Sequence, residues 1–271
     1  MIKTFLKGLL MGSADAVPGV SGGTMAFITG IYDRLLGLIA LVGPELFSIF
    51  RKQGWPGVIK AAQLNFSIPL VAGIGGGMLL ISGLVLQALD SAPALIWSAF
   101  TGLVLCAVPI VIRGAKLRSQ WPFAVLGLVL AAGIGVFSID FPTSALGIAG
   151  GGFIALSAMI LPGISGSFLL LIFGLYQPVF SAIHALDFSV ILPFALGGVL
   201  GLVTMARVLK RLFERYPGPL RLFLAGLMLG SATQLWPFQY AAVDTMNIML
   251  AVLGFVLGGG LLWLVDRFSR A

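Results

Sequence analysis

Residues 18–22 read Pro18-Gly19-Val20-Ser21-Gly22, and residues 162–166 read Pro162-Gly163-Ile164-Ser165-Gly166, 144 positions later. The match continues beyond the pentapeptides. Gly30-Ile31-Tyr32 falls on Gly174-Leu175-Tyr176, and seven of the 15 positions in 18–32 are identical to those in 162–176. Further along the offset becomes 124: Pro69, Gly73 and Gly77 fall on Pro193, Gly197 and Gly201, then Pro93 and Gly102 on Pro217 and Gly226. The chain is therefore one unit written twice, and the drop from 144 to 124 leaves about 20 additional residues in the first copy between Leu36 and Pro69.

Composition says where such a duplicated unit folds. Of 271 residues 59% are hydrophobic and 9% charged, whereas soluble domains carry roughly a quarter charged residues. The mean hydropathy is +1.10, and 37 glycines suit closely packed membrane helices. The net charge of +7 comes from basic residues set between apolar segments, which argues against a nucleic-acid partner. Cys106 is the only cysteine and lies in an apolar run, so it reads as a small buried hydrophobe, and intrachain disulfides and cysteine metal sites are excluded. Met1 to Leu10 is basic and then apolar like a leader, but Asp15 and Pro18 interrupt it without a clear small-residue cleavage site, so it is read as mature protein.

Six runs have the roughly 20 apolar residues that a bilayer crossing needs: about 66–88, 95–112, 122–138, 190–207, 221–238 and 246–265. Two more regions, 4–50 and 145–183, are apolar but broken at Pro18-Gly19 and Pro162-Gly163, which predicts a re-entrant or broken helical hairpin in each. If each broken region enters and leaves on one side, 15 of the 16 basic residues share a side, with Arg34 the exception. Asp90, Asp140, His184, Asp187 and Asp244 then share the other. Basic loops stay in the cytoplasm, so both termini are expected inside. The expected fold is an all-α integral membrane protein of two inverted-topology repeats, 1–140 and 141–271, each a broken hairpin plus three spans. Such repeats build midplane sites in many secondary transporters, although the duplication alone would serve a channel equally well.

The loops carry the chemistry. Pro18 and Pro162 lack an N–H and disfavour helix just before them, while Gly19 and Gly163 let the backbone turn. Ser21 and Ser165 are good N-caps, so each loop is expected to end in a helix N-terminus lined by Ser21, Gly22, Gly23 and Thr24 or by Ser165, Gly166 and Ser167. N–H groups and the helix dipole favour an anion such as phosphate; tight hairpin packing is the competing explanation. The two loops differ, since Asp15 aligns with Met159, Thr24 with Phe168, Asp33 with Gln177 and Arg34 with Pro178. Asp15 is a candidate for coupling to a proton or sodium gradient, or else a cap on backbone amides. Arg34 is a candidate headgroup ligand or an ion-pair partner of Asp33. Tyr32 and Tyr176 are candidate ligand donors or interfacial anchors, and His184 reads as interfacial. The Gly73–Gly77 and Gly258–Gly260 clusters sit inside apolar spans and read as packing surfaces. No metal-ligand cluster or Ser/His/Asp pairing stands out, so neither a metal nor enzymatic activity is expected, and no cofactor beyond the coupling ion.

Gly12-Ser13-Ala14-Asp15-Ala16-Val17-Pro18-Gly19-Val20-Ser21-Gly22-Gly23-Thr24 with Gly30-Ile31-Tyr32, and Leu161-Pro162-Gly163-Ile164-Ser165-Gly166-Ser167 with Gly174-Leu175-Tyr176, resemble the two signatures of the PopT-type polyprenyl-phosphate transporter family. This bacterial and archaeal membrane family was long a domain of unknown function. The resemblance covers essentially the whole chain. It implies a flippase in the cytoplasmic membrane returning undecaprenyl phosphate for reuse in peptidoglycan and other envelope glycans. A small-anion channel or ion-coupled anion exchanger is the alternative.

Overall fold

The structure, a computed structural model, describes residues 1–15, 21–134 and 141–270. The first half holds α1 (Ile2–Asp15), α2 (Gly22–Ile28), α3 (Tyr32–Leu41), α4 (Pro44–Ala62) and α5 (Leu64–Gly76). A π-helical turn, Gly77–Ile81, joins α5 to α6 (Ser82–Ser91), followed by α7 (Pro93–Val111) and α8 (Leu117–Ile134). The second half holds α9 (Ala145–Met159), α10 (Gly166–Ile172), α11 (Tyr176–Ala185), α12 (Phe188–Arg215), α13 (Pro217–Ser231), a 3-10 turn at Pro237–Gln239, and α14 (Thr245–Arg270). No strand occurs among the described residues. Leu64–Ser91, Pro93–Val111, Leu117–Ile134, Phe188–Arg215 and Thr245–Arg267 are each long and apolar enough to cross a membrane. Their outer faces expose side chains such as Val71, Leu79 and Leu196, which only lipid would cover. The protein is an all-α, multi-pass membrane protein.

Of the run expected at 122–138, residues 135–138 lie outside the described residues. The run expected at 221–238 is a helix of 15 residues that starts earlier and stops at Ser231. Near its end the Ser231 and Thr233 hydroxyls donate to the Met228 and Gly230 carbonyls, at 2.9 and 2.7 Å, and the chain turns towards Pro237. At about 1.5 Å per residue such a helix falls short of a bilayer. It is tolerated because its non-helical continuation is tied into the protein: Ala232, Leu235 and Pro237 are buried, and the Leu235 carbonyl accepts from Thr101 Oγ1 at 2.8 Å.

The broken regions are more fragmented than a two-armed hairpin. Each has a long leading helix (α1 or α9), a helix of seven residues (α2 or α10) and one of ten (α3 or α11). The second break falls at Gly30 and Gly174, whose φ values of +70° and +66° suit glycine; the α10–α11 bend is 109°. The first region also runs straight into α4, which has no counterpart in the second and accounts for the additional residues.

Packing repeats with the sequence. Gly8, Gly73 and Gly77 press on the carbonyls of Leu70, Phe5 and Leu9, so that α1 and α5 touch backbone to backbone. Gly152, Gly197 and Gly201 press on the carbonyls of Phe194, Ala149 and Phe153, the same pairs shifted by the two offsets. A second matched set crosses between the halves. Gly102 and Gly258 join α7 to α14 through the Phe255 and Ala99 carbonyls, while Gly226 and Gly127 join α13 to α8 through those of Ala124 and Phe223. This places α8 opposite α14 at an offset of 131, from Gly127 to Gly258, a stretch in which the sequence alignment found no anchor. Lipid tails are as apolar as leucine, so close backbone approach through small residues has to hold the helices together.

Gly77→Val or Gly201→Val should therefore cost at least the ~1–3 kcal/mol typical of overpacking, because backbone cannot yield as a side chain would. Gly75→Ala, at a position with open space around it, should leave the thermal midpoint in detergent close to that of the parent protein. Equal midpoints for all three would contradict the packing account.

Candidate functional site

α9 ends at Met159 in the middle of the bundle, and its final carbonyls need new partners. The first loop provides them. Ser21 Oγ has one proton and aims it between the Met159 and Leu161 carbonyls, at 3.1 and 3.2 Å. Tyr32 OH donates to the Ile160 carbonyl at 2.9 Å. In the other direction, Gly163 N–H donates to Thr24 Oγ1 at 3.0 Å. Gly23 lies against the Ile160 carbonyl with no room for a side chain. The two duplicated loops are interlocked by hydrogen bonds between residues 138 to 140 apart in sequence. Ser21, Thr24, Tyr32 and Ser165 are all at least 95% buried.

Each seven-residue helix is capped as its sequence suggests. Ser21 Oγ accepts from Gly23 N at 3.1 Å and Ser165 Oγ from Phe168 N at 3.4 Å. Ser165 and Ser167 share a hydrogen bond of 2.9 Å between their hydroxyls, and Ser167 is only half-buried. Gly166 packs under the Ala155 carbonyl, and Gly163, at φ +89°, packs on the Met228 backbone. Pro162 is buried in the same turn. Pro18 and Gly19 lie outside the described residues.

The asymmetry is sharpest at Asp15. Its Oδ1 accepts from the Gly22 N–H at 2.7 Å, so an internal carboxylate occupies an amide at the start of α2. A side chain on Gly22 would collide with that carboxylate. At the aligned position of the second half stands Met159, whose side chain cannot do the same.

The remaining candidates separate. Arg34 is exposed; its Nε donates to Gln63 Oε1 at 2.6 Å and its guanidinium stacks 3.9 Å from the centre of the Phe66 ring. Its partners are thus Gln63 and Phe66, away from the loops. Tyr176 is half-buried and stacks on Phe180 with ring centres 4.3 Å apart, unlike its aligned partner Tyr32. His184 and Asp33 are exposed. Lys7, in sequence only one of the basic residues that flank the apolar runs, comes into the region: its Nζ donates to the Thr29 carbonyl at the end of α2, at 2.6 Å. The signal for it was a lysine one turn inside an apolar arm, where an ammonium is costly without a partner.

Two apolar grooves flank the second loop. One, of about 460 Å³, is lined by Leu161 with Met205, Leu209, Leu212, Tyr216 and Phe223. The other, of about 590 Å³, is lined by Ile164 with Leu130, Ile134, Ile154, Ile172 and Phe173. Residues on either side of Pro162-Gly163 thus form a wall of each groove.

A family model described as VCA0040-like, undecaprenyl phosphate translocase-like, matches residues 11–252. The chain belongs to that family. A polyprenyl-phosphate transporter of Vibrio cholerae serotype O1 is 40% identical over 241 residues, covering 88% of this chain and 78% of that protein. A polyprenyl-phosphate transporter of Staphylococcus aureus is 26% identical over 275 residues, covering 93% of each. No solved structure matches significantly. The matched region contains both loops.

Thr24→Val keeps the shape but leaves the buried Gly163 N–H without an acceptor, which costs about 1–3 kcal/mol. Thr24→Ser should retain most of the parent stability. Thermal unfolding of the purified variants checks this, and equal midpoints for Val and Ser would show that the interlock contributes nothing.

Proposed function

We propose that this chain carries polyprenyl phosphate across the membrane, with the phosphate seated where the two Pro-Gly-(Val/Ile)-Ser-Gly loops meet. The observation that carries the reading is the pairing of duplicated loops at membrane depth in a chain whose relatives are named polyprenyl-phosphate transporters. Loops that join backbone amides, serine hydroxyls and apolar grooves offer what a lipid phosphate needs, which is an anion seat for its head and a lateral path for its tail. The grooves beside Leu161 and Ile164 are the proposed tail path.

In the conformation described, the polar groups of the seat are used internally. Phosphate entry then means exchange: Ser21 releases the Met159 and Leu161 carbonyls, Thr24 releases Gly163, and the Ser165–Ser167 pair turns towards phosphate oxygens. Asp15 gives this exchange a gate. Its carboxylate holds the Gly22 amide that an anion would use, and a proton on Asp15 removes the competing charge. Protonation and phosphate binding would then favour one another. A proton suits this position better than sodium, because the carboxylate faces an N–H donor that would repel a cation. With the two halves inverted and both termini in the cytoplasm, as the basic loops suggest, the seat becomes reachable from either leaflet as the halves rock. The carrier would return undecaprenyl phosphate to the cytoplasmic leaflet for another round of envelope glycan synthesis.

Two outcomes follow. Purified protein should bind polyprenyl phosphate, and Ser165→Leu with Ser167→Leu should lower that affinity by tenfold or more through lost hydrogen bonds and lost space; unchanged affinity would remove the proposed seat. Binding by the parent should weaken as pH rises and Asp15 deprotonates. Asp15→Asn should flatten that dependence, and a sodium requirement in place of it would redirect the coupling. Rapid small-anion conductance in proteoliposomes without lipid dependence would favour a channel instead.

A further inference from the structure

The segment without a counterpart in the second half, α4, has a surface that neither water nor hydrocarbon suits. Between 47 and 60 only Gly57 is buried. Phe47 and Trp55 are 62% and 67% exposed, and Phe50 and Ile59 are exposed as well. Arg51, Lys52 and Lys60 are also exposed on the same helix. In the first part of α4, the 3.6-residue period puts Phe47 and Phe50 on one face and Ser48 and Lys52 on the opposite one. The helix bends at Gly54, where φ is +63° and ψ −161°, and Pro56 follows. The bend folds Phe50 against Trp55 edge to face, with ring centres 5.1 Å apart, around an open apolar notch of about 330 Å³.

The position of α4 is fixed from outside itself. Arg207 of α12 donates from Nε to the Ala40 carbonyl at 3.1 Å and from Nη2 to the Val42 carbonyl at 2.7 Å, and it pairs with Glu45 at 3.6 Å. Arg207 lies on the stretch of α12 that also bears Lys210, Arg211 and Arg215. The clamp therefore holds α4 at the basic end of the bundle. At its other end α4 passes through Gln63, in a left-handed conformation, into the span that begins with α5. A helix held at the rim of a membrane bundle, with Phe47 and Phe50 on one face, Lys52 on the opposite one and Arg51 at the boundary between them, matches the chemistry of one environment: the headgroup layer of an anionic leaflet.

We propose that α4 is an interfacial helix docked on the anionic glycerophospholipids of the leaflet at the basic end of the protein, with Phe47, Phe50 and Trp55 sunk below the phosphates and Arg51, Lys52 and Lys60 paired with them. The inference rests on the membrane fold and not on the transported substrate. It gives the additional residues a role that only one end of a duplicated unit requires, because the two leaflets meet opposite ends of the bundle. Since α3 starts at Tyr32 and leads into α4, docking also anchors the far end of the helix that holds the Ile160 carbonyl.

The test uses the full chain in a Cys106→Ser background, with single nitroxide-labelled cysteines replacing Phe47, Phe50 or Lys52. The proteins are placed in nanodiscs of phosphatidylcholine with or without phosphatidylglycerol. Labels at 47 and 50 should prefer oxygen over an aqueous nickel chelate, at depths of about 5–10 Å, and the label at 52 should show the reverse. In discs with phosphatidylglycerol, replacing Arg51, Lys52 and Lys60 by Gln should lower the docked-to-free ratio, by roughly fivefold for each charge. Free inorganic phosphate should leave the label depths unchanged. Equal aqueous access at all three positions would overturn the proposal. So would a label–label distance between protomers showing a second copy seated on the aromatic face, or release of the helix by inorganic phosphate.

Discussion

Where α9 stops at Met159, three successive carbonyls lose their helical partners, and among them only that of Leu161 regains a backbone donor in its own turn, the Ile164 amide at 3.3 Å. Donors come from the other half of the chain: the single proton of Ser21 is shared between the Met159 and Leu161 carbonyls, and Tyr32 donates to that of Ile160. In a membrane an unpaired backbone group costs several kcal/mol, so a break in a helix at this depth survives only where another segment supplies donors. The hydrogen bonds that bridge this break also tie the two halves of the duplicated unit together.

The same constraint explains why the loops carry small polar residues. Ser21 caps its own helix while donating across the interface, and Thr24 accepts an amide in return. Groups that satisfy a partner's backbone can also satisfy a phosphate, with comparable geometry and similar energies. In the proposed seat these groups are engaged with protein, and exchanging one set of hydrogen bonds for another would link binding to movement. Asp15 extends the principle to charge, since it gives the Gly22 amide an anion of the protein's own.

Around this centre the glycine contacts keep the frame rigid. α1 with α5 and α9 with α12 meet within each half, while α7 with α14 and α8 with α13 meet across the halves. Any relative motion of the halves therefore has to pass through the crossing pairs as well as through the loops. The clamp from Arg207 to the α3–α4 corner adds a link from α12 into the first half, at a point with no equivalent in the second.

Much of this was legible in the amino-acid order. Apolar runs of membrane length, the duplicated Pro-Gly-Ser-Gly pentapeptides, their serine caps and the segregation of basic residues are local or periodic features, and local physics reads them directly. The exceptional status of Asp15 was also visible, because a carboxylate beside a helix break in an apolar segment needs a reason. Other features depended on distant partners. That Tyr32 is buried on a carbonyl while Tyr176 stacks near the surface could not follow from two aligned tyrosines, because the difference lies in what α9 leaves unpaired. Arg34 looked available for an anion until Gln63 and Phe66, 29 and 32 residues away, came to lie beside it. α13 looked as long as its neighbours, but the burial of Leu235 and the hydroxyl of Thr101 allow it to end early. Sequence determined which segments are long and apolar enough to enter the membrane and that one of them breaks at Pro162-Gly163; tertiary structure decided the further breaks and which broken ends satisfy one another, because an unpaired backbone group in a membrane takes whichever donor the fold brings within hydrogen-bonding distance.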